Sequence, residues 1–316
     1  MLDSTVVSLY DVHVRTEQRN NETTKGDSSM TMHTLESFQF DTNRTFGIEI
    51  EFFGVHVTKV VEALKANEIN FKQESYSHEA RPHWKLIYDV SVTNRGTGLP
   101  RGGHELVSPI LVGREGLEEV RKVMAVLDSI GAKVDKTCGL HVHHGVRDFQ
   151  VRDFQNIYSL YYKFENFFDA VVAPSRRQSV NQYCRGLNQG LIEQVQKATT
   201  LDELKRILAD RYLKLNFQAF IRHNTIEFRQ HSGTVNGEKA VNWIVFTQAV
   251  VERAKLETIR IAKKDHDRDA VTNFNHERRL RRTLFGEVTR ESLENEYGQA
   301  VKFQIKRRQQ FEAQAA

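Results

Sequence analysis

Apolar and polar residues alternate along three short runs of this chain. They are Gly47-Ile48-Glu49-Ile50-Glu51-Phe52-Phe53, Gly139-Leu140-His141-Val142-His143 and Thr225-Ile226-Glu227-Phe228-Arg229-Gln230-His231. In a strand, residues i and i+2 share a face. Glu49 therefore projects with Glu51, His141 with His143, and Glu227 with Arg229, while the intervening Ile, Leu, Val and Phe point the other way. A sheet face carrying carboxylates, imidazoles and a guanidinium is costly unless something binds there. Divalent cations and phosphate are its natural occupants.

The rest of the pattern supplies further strands and the helices. Thr58–Ala66 reads as a helix with Val60, Val61 and Leu64 on one side and Thr58 as its N-cap. Trp84–Val92 is β-rich, Asn94–Gly103 reads as a Gly- and Pro-containing loop, and Gly103–Pro109 is a strand stopped by its proline. Leu117, Val120, Met124, Leu127 and Ile130 recur at helical spacing, with Gly131 at the C-terminal cap position. A long helix is expected over Val151–Val172, its aromatic stripe of Phe154, Ile157, Tyr161, Phe164 and Phe168 being core rather than a cofactor contact. Residues 175–200 read as irregular and Leu201–Leu208 as a short helix. Tyr212–Ile221 and Thr225–His231 read as a hairpin around Arg222-His223-Asn224. Asn236 to about Ile261 is the last apolar-faced helix.

The two ends differ in composition. Residues 1–44 are polar and read as partly disordered, with Val6, Val7, Leu9 and Tyr10 as a short strand and 17–34 as loop. Order is expected from Thr45, and 45–262 is expected to form the main folded domain. Residues 263–316 carry Arg278-Arg279, Arg281-Arg282 and Lys306-Arg307-Arg308 and read as a solvent-facing helical appendage. Strands and helices intermingle and one sheet face is polar, so the fold class expected is α+β, an antiparallel or mixed sheet with helices packed on its back.

Bulk numbers narrow the class. With 39% hydrophobic and 27% charged residues, most of the chain should fold. A net charge of +4 does not by itself point to nucleic acid or membrane. Two cysteines, Cys138 and Cys184, cannot build a disulfide framework or a four-cysteine zinc site, and their scarcity fits a reducing cytoplasm. There is no signal-peptide stretch near Met1 and no apolar run long enough to span a bilayer, so a cytoplasmic, soluble protein is expected.

The candidate chemistry lies on the polar face. Glu49, Glu51, Glu105 and Glu227 offer four carboxylates from two of these runs and from Gly103–Pro109. Crowded together they repel, which divalent ions would relieve. His141 and His143 add nitrogen ligands or hydrogen-bond donors. Arg229 cannot ligate a metal, but its planar fork of donors suits phosphate or carboxylate. Metals beside a phosphate-binding arginine suggest phosphoryl transfer. No Gly-x-x-x-x-Gly-Lys-Ser/Thr loop and no His-Glu-x-x-His helix is present. Cys138 beside His141 and His143 raises a zinc site, but a fourth ligand is not apparent. Taken singly, each pair is an ordinary exposed strand face; their coincidence is what points to function.

At these residues the chain resembles the putative amidoligase family, within the carboxylate–amine ligases of glutamine synthetase-like fold. The matching segments, in family order across about 46–250, are Phe46–Phe52, Trp84–Ser91, Glu105–Leu111, Cys138–His143, Arg211-Tyr212 with Leu215-Asn216, and Thr225–Thr234. The resemblance implies an ATP-dependent enzyme that uses Mg²⁺ or Mn²⁺ to phosphorylate a carboxylate, the acyl-phosphate then being attacked by an amine. It implies Glu49, Glu51, Glu105, His141 and Glu227 as metal ligands (His141 alternatively a phosphate contact), His143 near the nucleotide, and Arg229 on the transferring phosphate. Arg211 and Arg185 are further substrate or phosphate contacts. Val90, in Asp89-Val90-Ser91, replaces a small residue of the family and leaves roles for Asp89 and Ser91 open. The base that accepts the amine's proton is open among His143, His144 and His231, and His144 alternates to the opposite face.

Acid and amine substrates are implied, each a small molecule, peptide or protein terminus, with no membrane or nucleic-acid partner. Oligomeric state is open, because the extra N-terminal domain that helps build the rings of related ligases is not evident. Other readings are a phosphotransferase of the same fold group, a non-enzymatic binding protein using the basic tail, and a metal-dependent hydrolase.

Overall fold

A computed structural model describes residues 38–75, 77, 79–93, 102–266, 273–286 and 288–315. The short strand at Val6–Tyr10, the loop at 17–34 and most of the Asn94–Gly103 loop lie outside the described residues.

The first alternating run forms β1 (Thr45–Phe52), the middle strand of the sheet, followed by α1 (Val57–Ala66), β2 (Phe71–Gln73), β3 (Trp84–Asp89), β4 (Gly103–Val107) and β5 (Leu111–Val112). Next come α2 (Gly113–Ser129), β6 (Gly139–Gly145), α3 (Val151–Lys163) and α4 (Glu165–Ala170). Then follow α5 (Gln189–Lys197), α6 (Leu201–Ile207), β7 (Leu215–Asn216), α7 (Gln218–His223), β8 (Thr225–Ser232) and α8 (Gly237–Leu256). The chain ends in α9 (Asn273–Phe285), α10 (Arg290–Glu294) and α11 (Glu296–Ala315). The strands make one sheet in the order β2-β3-β4-β1-β6-β8-β7, with β5 also paired to β1. Only the β2–β3 pairing is parallel, so the sheet is mixed and the fold is α+β, as the pattern predicted.

Alternation decides which face is covered. Ile48, Ile50 and Phe52 of β1, Leu106 of β4, Leu140 and Val142 of β6, and Ile226 and Phe228 of β8 are all buried on the back. Each such side chain contributes roughly 1.5–3 kcal/mol when taken out of water. The helical layer is organised around α8, against which α2, α3 and α11 pack. His144 follows the alternation predicted for it: it lies on the back face and its Nε2 meets Thr247 Oγ1 of α8 at 2.8 Å.

Several local expectations are corrected. The helix at 58–66 starts one residue earlier and His56, not Thr58, caps it, its Nδ1 accepting the Thr58 N–H at 3.3 Å. The long helix breaks at Phe164 into α3 and α4; the offset turns Glu165 and Asp169 toward Lys214. No glycine or proline marks the break. The 175–200 stretch contains α5, capped by Asn188. The expected hairpin survives only as the two-residue β7 on β8, because Gln218–His223 coils into α7 and Asn224 ends it with φ of 54°, a left-handed conformation that asparagine tolerates. Among the described residues, Phe38 and Phe40 are already buried ahead of Thr45.

The basic tail is not solvent-facing throughout. Leu280, Leu284, Phe285, Tyr297, Ala300, Val301 and Ile305 are buried, and the Tyr297 and Phe38 rings lie 5.0 Å apart. Arg308 pairs with Glu277 at 2.7 Å, and Arg279 pairs with Asp265. The charge-rich composition hid this apolar stripe. Among the described residues, no helix is long and apolar enough to cross a membrane.

Because Tyr297 sits in this seam, Tyr297→Ala is expected to cost about 3 kcal/mol. A urea melt should show a lower midpoint at unchanged slope. A midpoint equal to wild type would mean that the tail does not pack on the Phe38 segment in solution.

Candidate active site

Register carries the predicted side chains to one face. Glu49 of β1 lies opposite His141 of β6 and Val107 of β4; Glu51 lies opposite Glu105; His143 lies opposite both Gly47 and Glu227; and Glu227 lies opposite Asn216 of β7. Residues directly opposite in a sheet project to the same side. Five strands thus contribute to one patch, floored by the buried apolar back face.

Glu49 is its centre. Its Oε2 meets His141 Nδ1 at 2.8 Å and its Oε1 lies 3.3 Å from His143 Nε2. Glu227 Oε1 lies 3.6 Å from His141 Nδ1 and 3.9 Å from His143 Nε2. The same oxygen accepts from Arg229 Nη1, and Asn216 Nδ2 donates to Glu227 Oε2 at 2.6 Å. Arg229 Nε donates to the Tyr183 carbonyl at 3.1 Å, and His143 Nδ1 lies 3.1 Å from Thr225 Oγ1. Glu51 shares the face but is tied down: its Oε2 accepts the Gly139 N–H at 2.6 Å, while its Oε1 lies 3.8 Å from His141 Nε2.

These contacts set the ionisation states. Burial opposes the charge on Glu49, but hydrogen bonds from His141 and His143 hold its carboxyl well below the ordinary carboxylate range. Burial likewise opposes ionisation of Glu227, and the Arg229 charge outweighs it and lowers the value. Against the same desolvation, Glu227 and Glu49 raise His143. Glu105 goes the other way: burial, then repulsion from Glu49 and Glu51, push it well above its ordinary value. Burial lowers both His144 and His231 to about 3.

His231 is placed by a β-bulge. The pairing of β6 and β8 shifts between Leu140 and Val142, which oppose His231 and Phe228, so three residues of β8 span two of β6. His231 packs 5.1 Å from the Trp243 ring of α8 and stays buried. Of the three histidines weighed as base, only His143 therefore lies on the site face.

Two groups have ligand atoms close enough to share a cation. Glu49, Glu105 and His141 form one; Glu49, His143 and Glu227 form the other; within each, the atoms lie within 4.8 Å of one another. Among the described residues the Glu105 carboxyl has no side-chain hydrogen bond, which leaves it for a ligand. Oxygen donors with one imidazole nitrogen each suit Mg²⁺ or Mn²⁺. Glu51 belongs to neither group.

A cleft of about 2260 Å³ opens over this face, larger than the roughly 300–1,000 Å³ usual for one small ligand. Glu49, Glu51, Glu105, His141, His143, Glu227, Arg229 and Arg211 line it, whereas Arg185 does not; Arg185 is exposed and paired with Asp210. Arg211 lies over the Tyr212 ring, 5.3 Å from its centroid. Tyr88, Ile110, Val180, Tyr183 and Tyr212, all exposed, also line the cleft. Sequence reasoning did not single out Lys85, Thr225 or the contact of Asn216 with Glu227. Sheet register reveals them: Asn216 lies opposite Glu227, Lys85 opposite Val107, which in turn lies opposite Glu49, and Thr225 opposite Gly145 on the strand of His143. Asp89 and Ser91 line the cleft too, with Ser91 donating to Asp89 from its N–H at 2.7 Å and its hydroxyl at 2.9 Å.

Residues 42–251 match the family model described as "putative amidoligase enzyme", well over half of the chain. The chain belongs to that family. No curated protein matches it. Every residue of the patch falls inside the matched span, and α9–α11 lie beyond it. Membership supports a ligase joining a carboxylate to an amine.

The raised Glu105 carries a definite sign for stability. The folded chain keeps this proton where the unfolded chain has lost it, so stability falls as pH rises from the ordinary value of 4.5 toward the raised one. Glu105→Gln removes that loss. In metal-free buffer the variant is expected to be the more stable chain at about pH 8, with the difference shrinking to nothing near pH 4. Urea melts at both pH values check this, and a less stable variant at the higher pH would contradict like-charge crowding.

Proposed function

We propose that this amidoligase is an ATP-dependent, amide-forming carboxylate–amine ligase of glutamine synthetase-like fold, working through an acyl-phosphate with divalent metals. The observation that carries it is the convergence of Glu49, Glu105, Glu227, His141, His143 and Arg229 under one cleft. ATP supplies the phosphoryl group that turns a carboxylate into an electrophile, and Mg²⁺ or Mn²⁺ neutralises the phosphate charge.

The chain's own residues have separable roles. Glu49, Glu105 and His141 would hold one cation, and Glu49, His143 and Glu227 a second. Glu51 orients the entry to β6 through Gly139 and stands beside His141. Arg229, positioned by Glu227 and the Tyr183 carbonyl, presents its fork to the transferring phosphate. Arg211 serves phosphate or substrate at the same end of the cleft. His143 is the imidazole available to the attacking amine's proton, since His144 and His231 are buried behind the sheet. The size of the cleft suits a nucleotide together with a second substrate. The binding-protein reading loses support because Arg279 and Arg308 are engaged within the fold.

The test uses the purified chain with ATP, Mn²⁺, a panel of carboxylic acids and hydroxylamine, which traps an activated acyl group as a hydroxamate. ADP release and hydroxamate formation are expected together. Arg229→Ala should lower both by about 100-fold or more. Unchanged nucleotide affinity and turnover in Glu49→Gln, Glu227→Gln and Arg229→Ala would sink the reading. A phosphorylated product without hydroxamate would instead indicate phosphotransfer.

A further inference from the structure

Lys85 has no role in the scheme above. It sits on β3, opposite Val107, which in turn lies opposite Glu49 and thence His141, so all four project to the cleft side of the sheet. Lys85 lines the cleft yet is only 4% exposed. Its ammonium donates to the main-chain carbonyls of Ser77 at 2.8 Å and Glu79 at 3.0 Å. An ammonium has three donors, and among the described residues no carboxylate pairs with this one. The acids of the adjoining loop are engaged elsewhere: Glu79 pairs with Arg81 at 2.7 Å and Glu74 with His83 at 2.6 Å. Its neighbours along the wall, Ile87 and Val107, are apolar.

A buried charge served only by neutral carbonyls is expensive, and buried charges are normally paired. We propose that Lys85 binds a second anionic group on the acid substrate, so that this ligase selects acids carrying two negative groups. The assignment rests on the ligase reading for the identity of the reacting carboxylate. Two strand spacings, about 10 Å, separate β3 from β1. That spacing places the second anion several bonds from the carboxylate that reacts near Glu49 and Glu105. A nucleotide phosphate is the weaker occupant, because Arg229 and Arg211 lie toward the opposite edge of the sheet. Lys85 is a compact point charge beside Ile87 and Val107, with the exposed Lys72 of β2 in register opposite it, a setting suited to one carboxylate.

The test is calorimetric titration of the full chain with glutarate and with butyrate, which share a three-carbon chain beyond the reacting carboxylate and differ by the second carboxylate. It is done with Mn²⁺ alone and again with Mn²⁺ and a non-hydrolysable ATP analogue. Glutarate is expected to bind at least about tenfold more tightly than butyrate in both series. Lys85→Gln should bring glutarate to the butyrate level and leave the affinity for the analogue within about twofold, and Lys85→Arg should keep a preference for glutarate. Equal binding of the two acids by the wild-type chain, or binding of neither, overturns the proposal without recourse to any variant. So does a Lys85→Gln chain that loses the analogue and keeps glutarate. Failure of the analogue to bind wild type, with glutarate still preferred, would count against the nucleotide reading and leave Lys85 its role.

Discussion

Like-charge crowding on one sheet face is the constraint around which the molecule is arranged. Glu49, Glu51, Glu105 and Glu227 come from three strands and face the same cleft. Carboxylates this close cannot all ionise unless cations or donors stand between them. The chain supplies part of that compensation: His141 and His143 against Glu49, Arg229 and Asn216 against Glu227, the Gly139 N–H against Glu51. It supplies nothing comparable for Glu105, whose proton affinity burial and the neighbouring carboxylates push up. The patch is therefore electrostatically incomplete in the protein alone.

Such a patch needs a stiff support, and the layer behind it supplies one. Lys214, fully buried, pairs with Glu165 and Asp169 of α4. Asp169 also takes the Gln178 N–H at 2.8 Å, and Glu165 takes the Leu187 N–H at 3.2 Å. The backbone of Lys214 bonds Arg185 on one side and Arg229 on the other, at 2.9 Å each. This buried charge cluster thus clamps both ends of the 178–187 loop, the loop whose Tyr183 carbonyl orients Arg229. Arg176 reaches from the start of the same loop to the Cys138 carbonyl, just before the histidine strand. Replacing any one member would leave an uncompensated buried charge, which costs more than the pair contributes. The break at Phe164 serves this arrangement, because it turns Glu165 and Asp169 toward the lysine.

Much of the site was legible because period-two alternation is a local property. Glu49, Glu51, His141, His143, Glu227 and Arg229 announce their face from their immediate neighbours, and helix α2 announces itself through Leu117, Val120, Met124 and Leu127. What escaped depends on partners distant in sequence. His231 fits the same alternation as Glu227, and only the bulge against β6 turns it to Trp243. The helix break at Phe164 answers to Lys214, fifty residues further on. Residues 263–316 looked like a solvated tail because charged residues, among them the clustered arginines, dominate the composition there, although Leu284, Tyr297 and Val301 suffice for a buried stripe. Lys85 and Asn216 acquire meaning only from the strands laid beside them.

The same incompleteness bears on how ligands and stability are linked. A group that binds only the folded chain stabilises it by mass action, and most where the empty site is under the greatest strain. A cation held by Glu49, Glu105 and His141 would favour the ionised form of Glu105, so on the proposed reading its binding would be coupled to proton release. Binding one cation beside Glu49 also changes the field felt by the second group, since Glu49 belongs to both. On the proposed reading the two groups would therefore not fill independently, and the carboxylate they share would make a first ion a determinant of a second through the geometry of β1.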